Sequence, residues 1–134
     1  MFFDTNILSL QTASKLDKAS EDILLYHVAN KTAYLSHMVV GEILAFSGYS
    51  ELEIENIYKS LKNNFHIKYI NNDIMLLASE ISRKQKQKTD KKLKLTDSII
   101  AATAIYFDMP LLTLDKKDFK NIKDLKIVNH EGTL

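Results

Sequence analysis

Four acidic residues stand at positions where a carboxylate could do chemistry. Asp4 and Asp115 each follow a short apolar run typical of a buried strand, and Asp97 opens an alanine-rich helical segment. Glu42 lies inside the apolar segment 38–47. In open α/β sheets, ligands bind outside the carboxyl ends of the strands. We therefore expect acids placed in this way to meet at one edge of a sheet.

Two of these acids also have a purely structural explanation. Asp97 or Thr96 could cap the helix that follows, since a carboxylate at a helix N-terminus is favoured by roughly 0.3–1 kcal/mol. Glu42 could form an ion pair with a distant lysine. The nearest basic residues in the sequence, however, are Lys31 and Lys59. A buried carboxylate without a partner costs several kcal/mol, so Glu42 needs either such a partner or a cation.

A cluster of carboxylates is itself unfavourable unless a cation binds to it. Two carboxylates separated by ~4 Å repel by about 4 kcal/mol at an effective dielectric constant near 20. The chain has no cysteine, and its histidines are scattered without an i, i+4 pair, so a zinc site is not expected. Oxygen ligands alone favour Mg²⁺ or Mn²⁺. Such a site is typical of metal-assisted phosphodiester hydrolysis.

The rest of the sequence predicts elements that can bring the acids together. A chain of 134 residues is expected to form one domain, 1–134. Apolar runs at 1–3, 34–36, 66–70, 111–114 and 126–128 are typical of short strands. Helical patterns are found at 17–30, 38–47, 51–63, from Asp73 to the lysine-rich run, and from Asp97 to Phe107. This alternation predicts an α/β fold with a mostly parallel five-stranded sheet flanked by helices.

The distribution of charge is more informative than its sum of +1. Residues 83–94 and 116–126 together hold 12 of the 18 basic residues. These runs are either solvated lysine-rich loops or a phosphate-attracting rim around the acids. We expect 83–94 to be a mobile loop. No signal peptide or segment of membrane-spanning length is visible, which predicts a cytoplasmic protein.

Four segments in series resemble the PIN-domain ribonucleases, and most closely the VapC-type toxins of toxin–antitoxin pairs. They are FFDTNIL at the start, Glu42 in its apolar helix, LTDSIIAATAI, and LLTLDKKDF. The resemblance covers essentially the whole chain in order and spacing. It implies a PIN-like three-layer fold, one or two Mg²⁺ or Mn²⁺ ions, and endonucleolytic cleavage of single-stranded or looped RNA. It also implies a homodimer and a cognate antitoxin.

The resemblance also assigns roles to particular residues. The principal acids of the metal site are Asp4, Glu42 and Asp97, the fourth acid is Asp115, and the polar residues that orient them are Asn6 and Thr113. Many relatives carry Asn at position 115 and an acid three residues later, so Asp118 is an alternative fourth ligand. We favour Asp115 because it is nearer the strand end, and we expect Asp118 to cap the turn at Phe119. The charge distribution, and not the resemblance, gives the candidate contacts to the RNA backbone, which are Lys86, Lys88, Lys91, Lys92 and Lys116.

Leu114 and Thr96 depart from the pattern of many relatives, which carry Arg and Pro at these positions. The change at Leu114 would remove a contact to the substrate or to a neighbouring side chain, and the change at Thr96 is expected to be harmless.

Other functions remain open at this point. A housekeeping PIN-type RNA-processing nuclease would share the site but lack an antitoxin, and a small reading frame upstream of the gene would distinguish the two. A degenerate domain could bind a partner without catalysis. Aspartyl-phosphate phosphatases also carry Asp at a strand end, but they need a second Asp two residues later, where this chain has Asn6. A receiver domain would need an acidic pair at the first strand.

Overall fold

A small parallel sheet forms the centre of the molecule. The computed structural model describes residues 1–89 and 93–128. In chain order the elements are β1 (Phe2–Phe3), α1 (Thr5–Thr12), α2 (Lys18–Ala29), β2 (Tyr34–Ser36), α3 (His37–Leu44), α4 (Glu51–Asn64), β3 (His66–Lys68), α5 (Asn72–Thr89), α6 (Leu95–Tyr106), β4 (Leu111–Leu112) and α7 (Lys116–Phe119). The strand order is β3-β2-β1-β4, and every neighbouring pair is parallel. The predicted α/β class with a parallel sheet is confirmed.

The sheet is covered on both faces. Phe2 and Phe3 are 1% and 0% exposed, and Leu111 and Leu112 are both 0% exposed. Successive residues of a strand point to opposite faces, so burial of both members of each pair requires helices on both sides. The strands can be short because these large apolar side chains contribute to the core on both faces.

α6 is the most deeply buried helix of the fold. Every residue from Ser98 to Ala104 is buried, and the helix packs closely against α5 and also contacts α3 and β2. Ala101, Ala102 and Ala104 lack long side chains and so allow close approach of these neighbours. The first turn of α6, which carries Asp97, is therefore held firmly with respect to the sheet.

The predicted fifth strand is reduced to a single bridge in the described residues. Leu111 N–H donates to the Lys126 carbonyl at 2.9 Å, and Val128 N–H donates to the Leu111 carbonyl at 3.1 Å. These bonds pair Ile127 with Leu111 in the parallel sense. Because β4 is only two residues long, it offers this edge too little backbone for a longer ladder. Among the described residues the sheet thus has four strands, and 126–128 lie at the position of the fifth.

The basic run is helical over residues 83–89, which corrects the prediction of a mobile loop for this part of it, while residues 90–92 lie outside the described residues. α5 continues to Thr89, because Lys and Gln favour helix and Gln85 is buried at 6% exposure. A Glu80–Lys84 ion pair at 2.7 Å spans one turn of it. Asn71, rather than Asp73, caps its start by accepting from Ile74 N–H at 2.8 Å. Within residues 1–89 and 93–128, no helix is long and apolar enough to cross a bilayer.

Candidate active site

All four predicted acids line one open depression at the carboxyl edge of the sheet. Its volume is about 440 Å³. The lining residues are Asp4, Thr5, Asn6, Ser9, Leu10, Glu42, Asp97 and Asp115. The acids come from β1, α3, α6 and the segment after β4. Parallel strands end at a common edge, and this is how residues more than a hundred positions apart come together.

Asp4 is buried and firmly held. It is 4% exposed and occupies the N-cap position of α1. Its Oδ1 accepts from Thr5 N–H at 2.8 Å, and its Oδ2 accepts from Thr113 Oγ1 at 2.7 Å. Burial raises the pKa of Asp4 above its ordinary value, and the hydrogen bonds from Thr113 and Thr5 partly oppose this rise. Asp4 therefore has a fixed orientation and an unfavourable charge.

Glu42 is half-buried on α3 and receives its hydrogen bond from an unexpected residue. Thr5 Oγ1 donates to Glu42 Oε1 at 2.7 Å. Among the residues that the structure describes, Glu42 forms no ion pair with a lysine, so the alternative explanation of a distant salt bridge is not realised. The role of Thr5 was not predicted from the sequence. The only signal was a hydroxyl residue directly after Asp4, and that signal does not identify a partner 37 residues away.

Asp97 lines the depression without capping its helix. α6 begins at Leu95, Lys94 occupies the N-cap position, and no side chain makes the cap hydrogen bond. The pKa of Asp97 is raised from its ordinary 3.8 to about 6. Burial is the largest cause, followed by repulsion from Asp4, Glu42 and Asp115, while Lys94 acts in the opposite direction. The capping explanation for Asp97 is thus not supported, and its charge is strongly coupled to the other acids.

Asp115, rather than Asp118, lies at the depression. Asn6 Nδ2 donates to Asp115 Oδ2 at 3.2 Å. The backbone N–H of Asp115 donates to Thr113 Oγ1 at 3.0 Å, so this hydroxyl connects Asp115 to Asp4. Asp118 is exposed inside α7 and is not part of the lining. The cap position of α7 belongs to Asp115, which corrects the prediction that Asp118 caps this turn.

The donor set suits a hard divalent cation bound together with water. In the part of the chain that the structure describes, no three acidic or histidine side chains form a ready-made metal cage. Mg²⁺, however, is commonly held by one or two carboxylates and retains several waters. The carboxylates of the depression offer only oxygen donors. Burial and the neighbouring acids raise the pKa of Asp97, and a bound cation would offset both effects. The residues present therefore fit Mg²⁺ or Mn²⁺.

The lysines predicted to contact RNA differ in their exposure, and two of them are not described by the structure. Lys86 and Lys88 are exposed on α5, and Lys116 is half-buried at the start of α7, next to Asp115. Lys91 and Lys92 lie outside the described residues. Lys94 belongs to the predicted basic run but was not among the named contacts; it is exposed and close enough to Asp97 to lower its pKa. Positive charge therefore reaches the rim of the depression from the start of α6.

Comparison with known proteins gives consistent matches. Residues 1–125 match the family described as PIN domain. Over 86 residues the chain is 36% identical to ribonuclease VapC1 of Methanocaldococcus jannaschii, a match that covers 64% of this chain and 62% of that protein. The match thus spans less than two thirds of the length of this curated relative.

Solved structures with the same fold cover nearly the whole chain. VapBC2 from Rickettsia felis, bound to a DNA fragment from its promoter, superposes with a TM-score of 0.77 at 21% identity, over 97% of this chain and 98% of that one. A toxin–antitoxin complex from Klebsiella pneumoniae gives a TM-score of 0.68 at 27% identity, over 97% of both chains.

Proposed function

The chain belongs to the PIN-domain family, and on this premise we propose that it is a Mg²⁺- or Mn²⁺-dependent endoribonuclease and the toxin of a toxin–antitoxin pair. One observation carries the proposal: four carboxylates distant in sequence line one depression, and the pKa of Asp97 there is raised to about 6. Such a group of acids suits a cation site and is unfavourable for stability alone. The name of the relative, ribonuclease VapC1, supports the same reaction class.

The residues that would hold the cation are Asp4, Glu42, Asp97 and Asp115. A bound Mg²⁺ or Mn²⁺ supplies an activated water and stabilises negative charge on the phosphate undergoing hydrolysis. The chain contributes the arrangement of the donors. Thr113 and the backbone of Thr5 fix both oxygens of Asp4, and Asn6 restrains Asp115. Donors fixed before substrate binds need no reorganisation during the reaction.

We propose RNA as the substrate, held in single-stranded or looped form. Its backbone would contact lysines at the rim, with Lys94 and Lys116 beside the acids and Lys86 and Lys88 further along α5. The acids would repel phosphate in the absence of a cation, so productive RNA binding should require both the lysines and the metal.

A cognate antitoxin and a second copy of the chain are proposed as partners. The structural relatives from Rickettsia felis and Klebsiella pneumoniae are described as VapBC and toxin–antitoxin assemblies. On this chain, Phe46 and Leu52 are each 66% exposed near an apolar cleft between α3 and α4. Large exposed apolar side chains on the segments that border an apolar cleft are typical of surfaces that contact another protein.

The test is RNA cleavage by the purified protein, freed of any antitoxin, on a mixture of unstructured RNA oligonucleotides. We expect cleavage with Mn²⁺ or Mg²⁺ and none with EDTA. Asp97→Asn should lower the rate by roughly 100-fold or more, the scale of losing a group that stabilises charge in the reaction. Asp118→Asn is the matched control, since this acid lies outside the depression, and should retain activity. Cleavage that persists in EDTA, or in Asp97→Asn, would contradict the proposal.

A further inference from the structure

Thr5 connects two of the acids through two different hydrogen bonds. It is the first residue of α1 and directly follows Asp4. Its backbone N–H donates to Asp4 Oδ1 at 2.8 Å, and its hydroxyl donates to Glu42 Oε1 at 2.7 Å. One residue thus holds a carboxylate at the end of β1 and another on α3. These elements are far apart in sequence and meet at this contact.

The chemistry fixes the direction of the second bond. An ionised carboxylate can only accept, and a hydroxyl has a single proton to donate. A hydroxyl bonded to an ionised carboxylate forms a charge-assisted hydrogen bond, which is stronger than one between neutral groups, and the oxygen–oxygen distance of 2.7 Å is compatible with it. Within residues 1–89 and 93–128, the Glu42 side chain makes no other hydrogen bond than this one. The proton of the Thr5 hydroxyl is therefore committed to Glu42 and is not available for donation to substrate.

Glu42 needs such a restraint more than Asp4 does. Asp4 is buried and has a second donor in Thr113, whereas Glu42 is half-buried on a helix face beside the open depression. A glutamate side chain has several rotatable bonds and loses considerable entropy when one rotamer is selected. Without the Thr5 hydroxyl, Glu42 could turn towards solvent and leave the depression.

We propose that Thr5 is a positioning residue that orients Glu42, so that Glu42 and Asp4 can bind the same cation. The inference rests on the metal-dependent nuclease function proposed above. Thr5 itself touches neither metal nor RNA in this role. Its contribution should therefore be visible in cation affinity as well as in turnover.

The variants separate the hydroxyl from the rest of the side chain. Thr5→Val removes the hydroxyl and keeps the branched shape, and the backbone bond to Asp4 remains. Thr5→Ser keeps the hydroxyl, and Thr5→Ala is a second hydroxyl-free variant with high helix propensity. Thr12→Val is the matched control, since the Thr12 hydroxyl on the same helix donates only to the Leu8 carbonyl at 2.9 Å.

Mn²⁺ affinity, measured from the EPR signal of free Mn²⁺, is the first readout. We expect Thr5→Val and Thr5→Ala to weaken binding by about 10-fold, the lower end of what is lost when a group that orients a metal ligand is removed. Thr5→Ser should restore most of the affinity, and Thr12→Val should not change it. With saturating Mn²⁺, Thr5→Val should lower kcat for RNA and leave KM unchanged, because Thr5 has no contact with the substrate.

A double-mutant cycle tests whether Thr5 acts through Glu42. In a Glu42→Ala background, Thr5→Val should cause little further loss of Mn²⁺ affinity. Full affinity in folded Thr5→Val and Thr5→Ala, or losses that simply add in the double variant, would overturn the inference. If Asp97→Asn abolishes Mn²⁺ binding while the Thr5 variants bind normally, only the inference fails. If the wild-type protein binds no Mn²⁺, the proposed function fails with it.

Discussion

Replacing Asp97 with Asn should stabilise the cation-free protein at neutral pH even though it removes activity. Asp97 carries its charge in a half-buried position, close to three other acids. Asn has nearly the same shape and no charge, so the variant keeps the packing of α6 and loses the repulsion. A mutation that stabilises the fold and abolishes turnover is expected where a charge is retained for function.

The size of the stabilisation expected for Asp97→Asn follows from the pKa of Asp97. A rise from 3.8 to about 6 corresponds to about 3 kcal/mol at 1.36 kcal/mol per pKa unit. The side chain is only half-buried, and solvent screening reduces this to about 1.5 kcal/mol. Asn also loses the favourable interaction of a charge with the N-terminus of α6, which is worth roughly 0.3–1 kcal/mol. The cost of burying the charge and the repulsion from the other acids together remain the larger effect, and the net gain should be about 1 kcal/mol.

The pH dependence of this gain has a definite sign. The pKa of Asp97 is higher in the folded state than in the unfolded state, so the ionised side chain destabilises the fold. This destabilisation is absent below about pH 4, develops between about pH 4 and about pH 6, and is complete above that range. Urea unfolding in EDTA should therefore show Asp97→Asn more stable than wild type at about pH 7.5, with a smaller difference at about pH 4. The corresponding increase in Tm is about 3–5 °C for a domain of this size.

Two comparisons make the measurement decisive. Asp118→Asn removes an exposed acid outside the depression and should change stability by less than about 0.5 kcal/mol. Added Mg²⁺ should stabilise the wild-type protein and not Asp97→Asn, because a ligand stabilises only a protein that binds it. An Asp97→Asn protein that is no more stable than wild type in EDTA, or whose advantage does not grow with pH, would refute the reasoning.

Two further predictions concern the buried hydroxyl and the basic helix. Thr113→Val should destabilise the protein by about 2 kcal/mol at neutral pH in urea unfolding, because the buried carboxylate of Asp4 loses a charge-assisted donor. An equal loss at low pH, where Asp4 is protonated, would contradict this. Replacing Lys86 and Lys88 together with Gln should weaken RNA binding and reduce the slope of log affinity against log salt by about 1.4. Lys18→Gln is the control, because Lys18 is already paired with Asp22. If the Lys86 and Lys88 double variant has the same salt slope as wild type, α5 does not contribute to RNA binding.

The placement of the acids could be predicted because it depends on local patterns. Short apolar runs followed by Asp4 and Asp115 indicate strand ends, and parallel strands end at a common edge. The alternation of strands and helices is likewise visible in the sequence. The sequence therefore predicted well where each acid lies relative to the strands and helices, and at which edge of the sheet the acids meet.

The features that were predicted wrongly or missed depend on packing. The lysine-rich run looked like a loop because of its charge, but Gln85 packs into the protein and extends α5 to Thr89. The hydrogen bond from Thr5 to Glu42 depends on how closely α1 approaches α3, and no local pattern encodes that distance. The fifth strand was predicted from its apolar composition, but the two-residue length of β4 limits its pairing to one bridge.

The sign of the pKa shift at Asp97 is the strongest argument against a purely structural role for this acid. A carboxylate that caps a helix accepts backbone hydrogen bonds and interacts favourably with the helix dipole, and both effects lower its pKa. Asp97 lies in the first turn of α6, yet it makes no cap hydrogen bond and its pKa rises to about 6. Burial and three neighbouring acids therefore outweigh the helix terminus. Under the proposed function, a ligand of opposite charge would offset this unfavourable environment, and the oxygen donors around Asp97 suit a divalent cation.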